Sequence, residues 1–532
     1  MLSVRKSYLN TIDWFNNSDL VQWGLNVNRP QSDLESGFID LDSYLVKSVD
    51  TDASFYDVHA KMYFEGTSGN RFILSGYLGG DNTSYSSDRL FRTLSTSTTN
   101  PFEYRSVSTI NDWNNGAASA KYSLWLNDNI YSSTIIGISI YSTIFNQEDF
   151  VYIKNNPNDQ SLNAFIFPFQ NESVLNDFKA QQLFEISTAK NWFWDAGLSY
   201  NFYLGEYSEN SFDRPGYFSS TEAHKIDLFT QIDYSGLNEN LDIFIGNRLH
   251  YYTNGNYLRF SPRIKFKFFP KSILSLGAGF SINHQFLNQI SLSNTTTSDV
   301  WILADENQAP TSLNYYSSGI YFSPSSFFYA QTEAYYKEFD NVRLHEINTF
   351  SLSNTFASNP WFTNNKGTAK GLEFLMRSKF EFLGLSQTYS ISNIKLSNPQ
   401  INNGNSFYAD WDRTHKYTAI LSLDFLEFFS THLSWNFASG TPNKLATFGP
   451  QSNQRLDNYK RTDISMEYSR NFTQYDLSVS ASIFNVFNTQ NVWYRDLSIV
   501  LDQNSNPNQV SSSPVDIYDV GMQPSFNISL GF

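Results

Sequence analysis

Residues 525–532 read Ser525-Phe526-Asn527-Ile528-Ser529-Leu530-Gly531-Phe532, and every second side chain is apolar. Successive side chains of an extended chain point to opposite faces. Phe526, Ile528, Leu530 and Phe532 therefore share one face, and Ser525, Asn527, Ser529 and Gly531 the other. Helical spacing collects neither set. The same alternation sets Leu274, Leu276, Ala278, Phe280 and Ile282 against Ser275, Gly277, Gly279, Ser281 and Asn283. Tyr417, Ala419, Leu421, Leu423 and Phe425 repeat it, as do Thr462, Ile464, Met466 and Tyr468.

Working outward from these segments, the chain divides into twenty strand-sized pieces. The first eleven are 3–12, 54–66, 70–82, 113–127, 130–146, 173–187, 191–207, 222–235, 240–252, 258–269 and 272–284. The others are 312–323, 327–340, 367–380, 384–397, 414–426, 431–439, 461–470, 475–487 and 522–532. Linkers between them alternate between short, turn-like pieces such as 66–70, 127–129 and 471–474 and long polar ones such as 13–53, 83–112, 285–311, 341–366 and 488–521. Short turns at one rim, long loops at the other and polar-in, apolar-out alternation predict an all-β fold, a transmembrane antiparallel up-and-down β-barrel. Lipid tolerates no open sheet edge, so closure is expected. Trp192, Trp194, Tyr251, Tyr252, Tyr315 and Tyr316 lie at segment ends, where interfacial aromatic girdles belong. A soluble sandwich rarely sustains such long strands, and the repeat of a propeller is missing.

Composition agrees. Of 532 residues, 17% are aromatic and only 16% charged, against about 25% charged in ordinary soluble domains. The longest apolar run is five residues, Val300 to Ala304, far short of the roughly 18 a membrane-spanning helix needs. A net charge of −15 disfavours nucleic acid. With no cysteine there is no disulfide, thiolate ligand or thiol nucleophile. Residues 1–5 precede no apolar core of a secretory signal, which reads as a cytosolic chain or one whose start is missing.

Several short stretches then resemble one family in order. Ser261-Pro262-Arg263 heads a mid-chain strand, and Pro310, Ser312, Tyr316 and Gly319 follow. Next come Asn365, Gly367, Ala369, Gly371 and Glu373, then Asp412-Arg413-Thr414-His415 and Ser439-Gly440-Thr441-Pro442. Arg455 to Asp463, Phe484-Asn485-Val486-Phe487-Asn488 and the terminal Phe532 complete the series. Together these resemble the TonB-dependent receptors of Gram-negative outer membranes, particularly those of Bacteroidetes-like bacteria. The resemblance implies a barrel of about 22 strands around a plug. On that reading residues 1–532 are a single outer-membrane barrel domain with about 20 strands, lacking the plug, signal peptide and first two strands.

The resemblance further implies a receptor that captures a scarce large solute, a siderophore, cobalamin or oligosaccharide, for energised import. Its partners would be outer-membrane lipid, the TonB complex acting through a plug, the barrel-assembly machinery and the solute, with no nucleic acid. Phe526, Ile528, Leu530 and Phe532 would form the membrane-assembly signal. A passive porin-like channel and a barrel-anchored surface binding protein are the alternatives.

Candidate ligand contacts are the loop tryptophans Trp113, Trp301, Trp361, Trp411 and Trp493, whose rings among Asn and Asp suit sugars or aromatic siderophores. Loop packing is the plainer explanation of them. On segment 258–269 the polar face carries Arg259, Arg263, Lys265 and Lys267. These attract an anionic ligand or acidic plug surface, unless Asp227, Asp233 and Asp242 pair with them. Gly367, Ala369 and Gly371 share one strand face, leaving space for a plug or relieving crowding. Asp40, Asp42, Asp50 and Asp52 lack the Gly and Glu of a calcium loop, and the seven histidines show no metal-ligand spacing. No catalytic constellation, metal or cofactor is expected, and the chain does not read as an enzyme.

Overall fold

The computed structural model describes residues 2–6, 44–67, 69–92, 102–154, 163–189, 191–211, 214–236, 240–271, 273–290, 300–345, 362–399, 404–426, 428–443, 454–501, 510–519 and 521–531. All named elements are strands. β1 (Leu2–Lys6) pairs with β2 (Tyr44–Glu65), and each strand up to the eleventh pairs antiparallel with the one before it. The first run continues through β3 (Arg71–Arg92), β4 (Phe102–Asn127), β5 (Ile130–Lys154), β6 (Asn163–Ala189), β7 (Trp192–Ser211) and β8 (Arg214–Gly236). Shorter strands β9 (Leu241–Tyr252), β10 (Tyr257–Lys271) and β11 (Leu274–Gln285) follow. A separate hairpin of β12 (Leu287–Ile290) and β13 (Val300–Leu303) interrupts the series.

The sheet resumes beside β11 with β14 (Thr311–Ser325), β15 (Phe328–His345), β16 (Phe362–Phe380) and β17 (Leu383–Ser397). β18 (Phe407–Tyr408) is a two-residue stub at the end of β17. β19 (His415–Leu426), β20 (Phe429–Ala438), β21 (Tyr459–Asn471) and β22 (Asp476–Phe484) come next. A second separate hairpin joins β23 (Val492–Leu501) to β24 (Val510–Tyr518), and β25 (Gln523–Gly531) pairs with β22. Among the described residues the main sheet has 21 strands, and each of the twenty segments predicted from alternation contributes a strand to it, the first through residues 3–6 alone since 7–12 lie outside the described residues. Among the described residues β1 is paired only with β2 and β25 only with β22, so each presents one bare edge.

Alternation decides which face meets what. Ile136, Ile138 and Ile140 on β5, and Leu258, Phe260, Ile264 and Phe266 on β10, are 43–59% exposed, an outward apolar belt that only lipid accommodates over so many neighbouring strands. Leu276 points outward and Ser275 is buried on the inner face, as the alternation predicts. Phe526, Ile528 and Leu530 are 67%, 58% and 53% exposed on the outer face, while Phe532 lies outside the described residues. Trp192, Trp194 and Tyr251 are likewise exposed at strand ends, whereas Tyr316 is exposed inside β14 and Tyr315 is half-buried on the other face, so neither is a girdle residue at a strand end.

Three expectations need correction. Strands β2 to β8 run 20 to 27 residues, so much of 83–112, read as a long loop, is strand. Inner-face side chains keep finding partners above the apolar belt, and the ladders continue with them. Tyr252 is no girdle residue, being fully buried on the inner face. Asp50 and Asp52 belong to β2 and not to an acidic loop, and Asp40 and Asp42 lie outside the described residues.

Candidate functional site

The connection from β11 to β14 turns inward. Its hairpin, rooted between those two strands, contacts β6 and β7 on one side and β15 on the other, which places it across the interior of the barrel. Val300, Leu303 and Ala304 are at most 2% exposed. Val300 and Ile290 pack with Tyr207 in one apolar cluster, with Tyr217 and Ile302 at its edge. Phe286 and Ala304 pack with Ala223 and Tyr252 in a second, beside Tyr203 and Tyr257. Gly205 makes room for the hairpin, because a Cβ there would stand 3.0 Å from the Leu303 side chain.

Three side chains grip three consecutive carbonyls where the hairpin leaves. Arg343 Nη1 donates to Leu303 O at 3.1 Å, Tyr252 Oη to Ala304 O at 2.8 Å and Tyr257 Oη to Asp305 O at 2.7 Å. Ala304 N in turn donates to Phe286 O at 2.7 Å, closing the hairpin's base. Each bond satisfies a backbone group that would otherwise be buried unpaired.

Beyond the base, the hairpin rests on the inner faces of β5 to β7. Strand register aligns Trp113, Thr143, Ser173 and Tyr207 in one row, and Asn111, Phe145, Asn171 and Glu209 in the next. Trp301 N donates to Ser173 Oγ at 3.3 Å. The Trp301 ring meets Tyr141 edge-on at 6.3 Å, and Tyr141 meets Trp113 at the same distance. Two tryptophans 188 positions apart thus join one aromatic chain. Trp113 belongs to strand β4 and not to a loop. Trp411 is 51% exposed in a turn and Trp493 is 62% exposed on β23; neither joins this cluster, and Trp361 lies outside the described residues.

Three strands on from β7 the cations of β10 point inward as the alternation predicts, but the carboxylates expected to pair with them do not. Asp227 is 1% exposed and takes Lys225 Nζ at 2.8 Å, His250 Nδ1 at 2.7 Å and Ser199 Oγ at 3.1 Å. Asp233 accepts from Gln231, and Asp242 from Ser235. Among the described residues Arg259, Arg263, Lys265 and Lys267 form no ion pair and lie instead over aromatic rings. Arg259 sits 5.0 Å from the centre of Tyr257, Arg263 and Lys265 lie 5.8 and 5.3 Å from Phe244, and Lys267 is 4.8 Å from Phe269. Ring quadrupoles hold a cation without neutralising it, so this wall stays electropositive.

Several of the later stretches that carried the family resemblance bond to one another near strand ends. Fully buried Asp412 takes Ile394 N at 2.6 Å and Arg455 Nη2 at 2.5 Å, and Arg455 Nη1 donates to Asp412 O and Gly440 O. Neighbouring Arg413 lies 5.6 Å from the centre of the Tyr459 ring, and burial holds its guanidinium below the ordinary arginine value. Asp463 accepts from Arg461 Nε and from Asn485 N, and Asn485 adopts a left-handed φ of 51° in the turn it caps. Asn365, 1% exposed, donates to the carbonyls of Thr363 and Val342. On the inner face of β16 a Cβ at Gly371 would come within 2.8 Å of the Tyr335 ring, so this glycine relieves crowding. These residues tie connections to strand ends and do not surround an opening.

Tyr141, Tyr257 and Arg343 are not singled out by the sequence, which marks Tyr252 only as a girdle residue. The run Val300 to Ala304 was the available signal, since a short continuous apolar run bounded by polar residues is what a strand buried on both faces requires. No group of three or more His, Asp or Glu side chains suited to a metal ion occurs among the described residues.

No family model matches the chain, and no curated protein is significantly similar in sequence. Solved structures do match. The ferric preacinetobactin receptor BauA of Acinetobacter baumannii superposes with a TM-score of 0.56 at 10% identity, covering 91% of this chain and 79% of its own. The ferripyoverdine receptor of the Pseudomonas aeruginosa outer membrane gives 0.54 at 13% identity, covering 91% and 70%. The copper transporter OprC gives 0.56 at 10% identity, covering 92% and 79%. The chain has the β-barrel fold of these receptors and this transporter.

Proposed function

We propose that the chain is the barrel of an outer-membrane receptor that captures a scarce solute and admits it to the cell interior under energy supplied through TonB. The rim with the long connections faces the medium, and the solute enters between it and the inward hairpin. The barrel performs no bond chemistry. The observation that carries this reading is the inner wall. A barrel with this many strands encloses more space than side chains fill, and its wall offers an aromatic cluster on β4 to β6 and unneutralised cations on β10. Such a surface needs an occupant, an acidic plug surface below and a solute above. A plug would transmit the pull of TonB, the barrel-assembly machinery would seat the strands, and outer-membrane lipid would cover the apolar belt. The neighbours supply the precedent, since their names are those of receptors and transporters for iron chelates and copper.

One observation favours a second reading. A hairpin folded across the interior is also what a passive diffusion channel uses as its constriction. Cells expressing the protein separate the two. Accumulation of solute against its gradient, abolished by a protonophore, supports the receptor. Uptake that only equilibrates and survives the protonophore sinks it in favour of the channel.

A further inference from the structure

The hairpin covers part of the inner wall well and part of it badly. Over Tyr207 the match is apolar, with Val300 and Ile290 against the ring. Over the neighbouring strands it is not. Thr143 and Asn171 are 0% and 1% exposed, yet Thr143 Oγ1 and both Asn171 Nδ2 and Oδ1 have no hydrogen-bond partner, and neither has Asn111 Oδ1. Buried polar atoms are nearly always paired, so four unpaired ones on three adjacent strands require an explanation. Register puts them together: Thr143 lies beside Ser173, and both Asn111 and Asn171 lie beside Phe145. The rings of Trp113 and Trp301 lie alongside, joined through Tyr141.

From this we infer that Asn111, Thr143 and Asn171, with Trp113 and Trp301, form a latent subsite for a neutral, hydroxyl-rich ligand such as a sugar ring, and that hairpin β12–β13 is the cover it displaces. The inference deepens the receptor reading and rests on it. The chemistry fixes the ligand class. Asn171 offers a donor and an acceptor, Thr143 offers both, and Asn111 offers an acceptor. A partner that also carries both, group by group, satisfies all four atoms at once, and sugar hydroxyls do so while adding a ring to stack on the indoles. The C–H face of a pyranose ring stacks on indole. Charge is not called for here, because Glu209 is already engaged by Tyr207 and the unneutralised cations stand on β10. The covered state leaves polar atoms unpaired, which favours uncovering when a partner arrives. Meanwhile the three gripped carbonyls at residues 303–305 keep the hairpin tethered at its base.

Tryptophan fluorescence of the 532-residue chain in detergent micelles, titrated with maltoheptaose, a cello-oligosaccharide and a xylo-oligosaccharide and separately with citrate, tests this. Thr143→Val and Asn171→Leu each remove unpaired atoms while keeping volume, and their melting temperatures are measured in parallel. We expect at least one neutral oligosaccharide to give a saturable change, abolished by Trp301→Phe together with Trp113→Phe. Each polar substitution should weaken it by about tenfold with a melting temperature equal to or above that of the parent. No saturable response to any neutral oligosaccharide, undiminished binding in the variants, or a lowered melting temperature in both would overturn the subsite. A response to citrate alone overturns it too but leaves the receptor standing, whereas uptake that survives a protonophore removes the receptor.

Discussion

Tyr252 on β9 donates its hydroxyl proton to the carbonyl of Ala304, 52 positions later, at 2.8 Å and in complete burial. The bond belongs to a set of three that holds the base of the inward hairpin. Tyr252→Phe keeps the packing and removes the bond, stranding the Ala304 carbonyl. Local opening of the hairpin should become easier by about 1–2 kcal/mol, with little change in the melting of the sheet. Hydrogen exchange at residues 286–305 checks this, and unchanged protection there would show that the grip is incidental.

Exposure of Leu276 and burial of Ser275 set a lipid face against an inner face. An arginine at Leu276 should cost roughly 2–4 kcal/mol, while one at Ser275 can reach into the water of the interior and should cost far less. Unfolding titrations in lipid vesicles measure both. Similar costs at the two sites would mean that the register is wrong.

Asp412 is fully buried and its charge is met by Arg455. Replacing Arg455 with Met leaves that charge uncompensated and should lower stability by about 3–5 kcal/mol. Adding Asp412→Asn should restore part of the loss, since Asn can still accept from Ile394 N. A thermal-melt double-mutant cycle reads the coupling, and additive effects would contradict the pairing.

The β10 cations have rings and no carboxylates for partners. Reversing Lys265 and Lys267 to Glu should shift the reconstituted barrel toward cation selectivity, a difference that higher salt diminishes. Reversal potentials in planar bilayers report it directly. Selectivity unchanged by the double reversal would mean that these side chains do not face the conducting space.

A Cys-free chain makes orientation simple to test. Ser406 lies in a connection at the long-loop rim and Ser326 in a short turn, both exposed. With Ser406→Cys and Ser326→Cys introduced singly, a membrane-impermeant maleimide on intact cells should label the first only. Labelling of the second alone reverses the topology.

Alternation made the sheet legible because a strand at a lipid boundary has one chemical requirement per face, and residues such as Leu276 and Ser275 carry it individually. Strand length was harder to see. Above the belt the outward positions are polar too, so the pattern fades near Asn111 and Trp113 although the ladder continues. The hairpin was hidden for another reason. Val300 to Ala304 contacts residues far earlier in the chain, Ser173 lying 128 positions before Trp301 and Tyr207 also on a distant strand, and nothing local to either stretch announces the meeting. The cations of β10 were found, but their partners were misjudged, since only the fold shows that His250 and Lys225 reach Asp227 first.

Strand length also sets the height of the wall. β4 to β6 have 25 to 27 residues and β9 to β11 have 12 to 15. At about 3.3 Å per residue and a tilt near 40°, the first group rises about 30 Å above the second. The mouth is therefore a slanted opening, with a tall screen on one side and a low sill on the other. The hairpin springs from beside the sill and leans against the screen. On the proposed orientation a large molecule descending toward the membrane meets the inner side of that screen first, so its first encounter is governed by β4 to β6 and its later steps by the lower wall at β9 to β11.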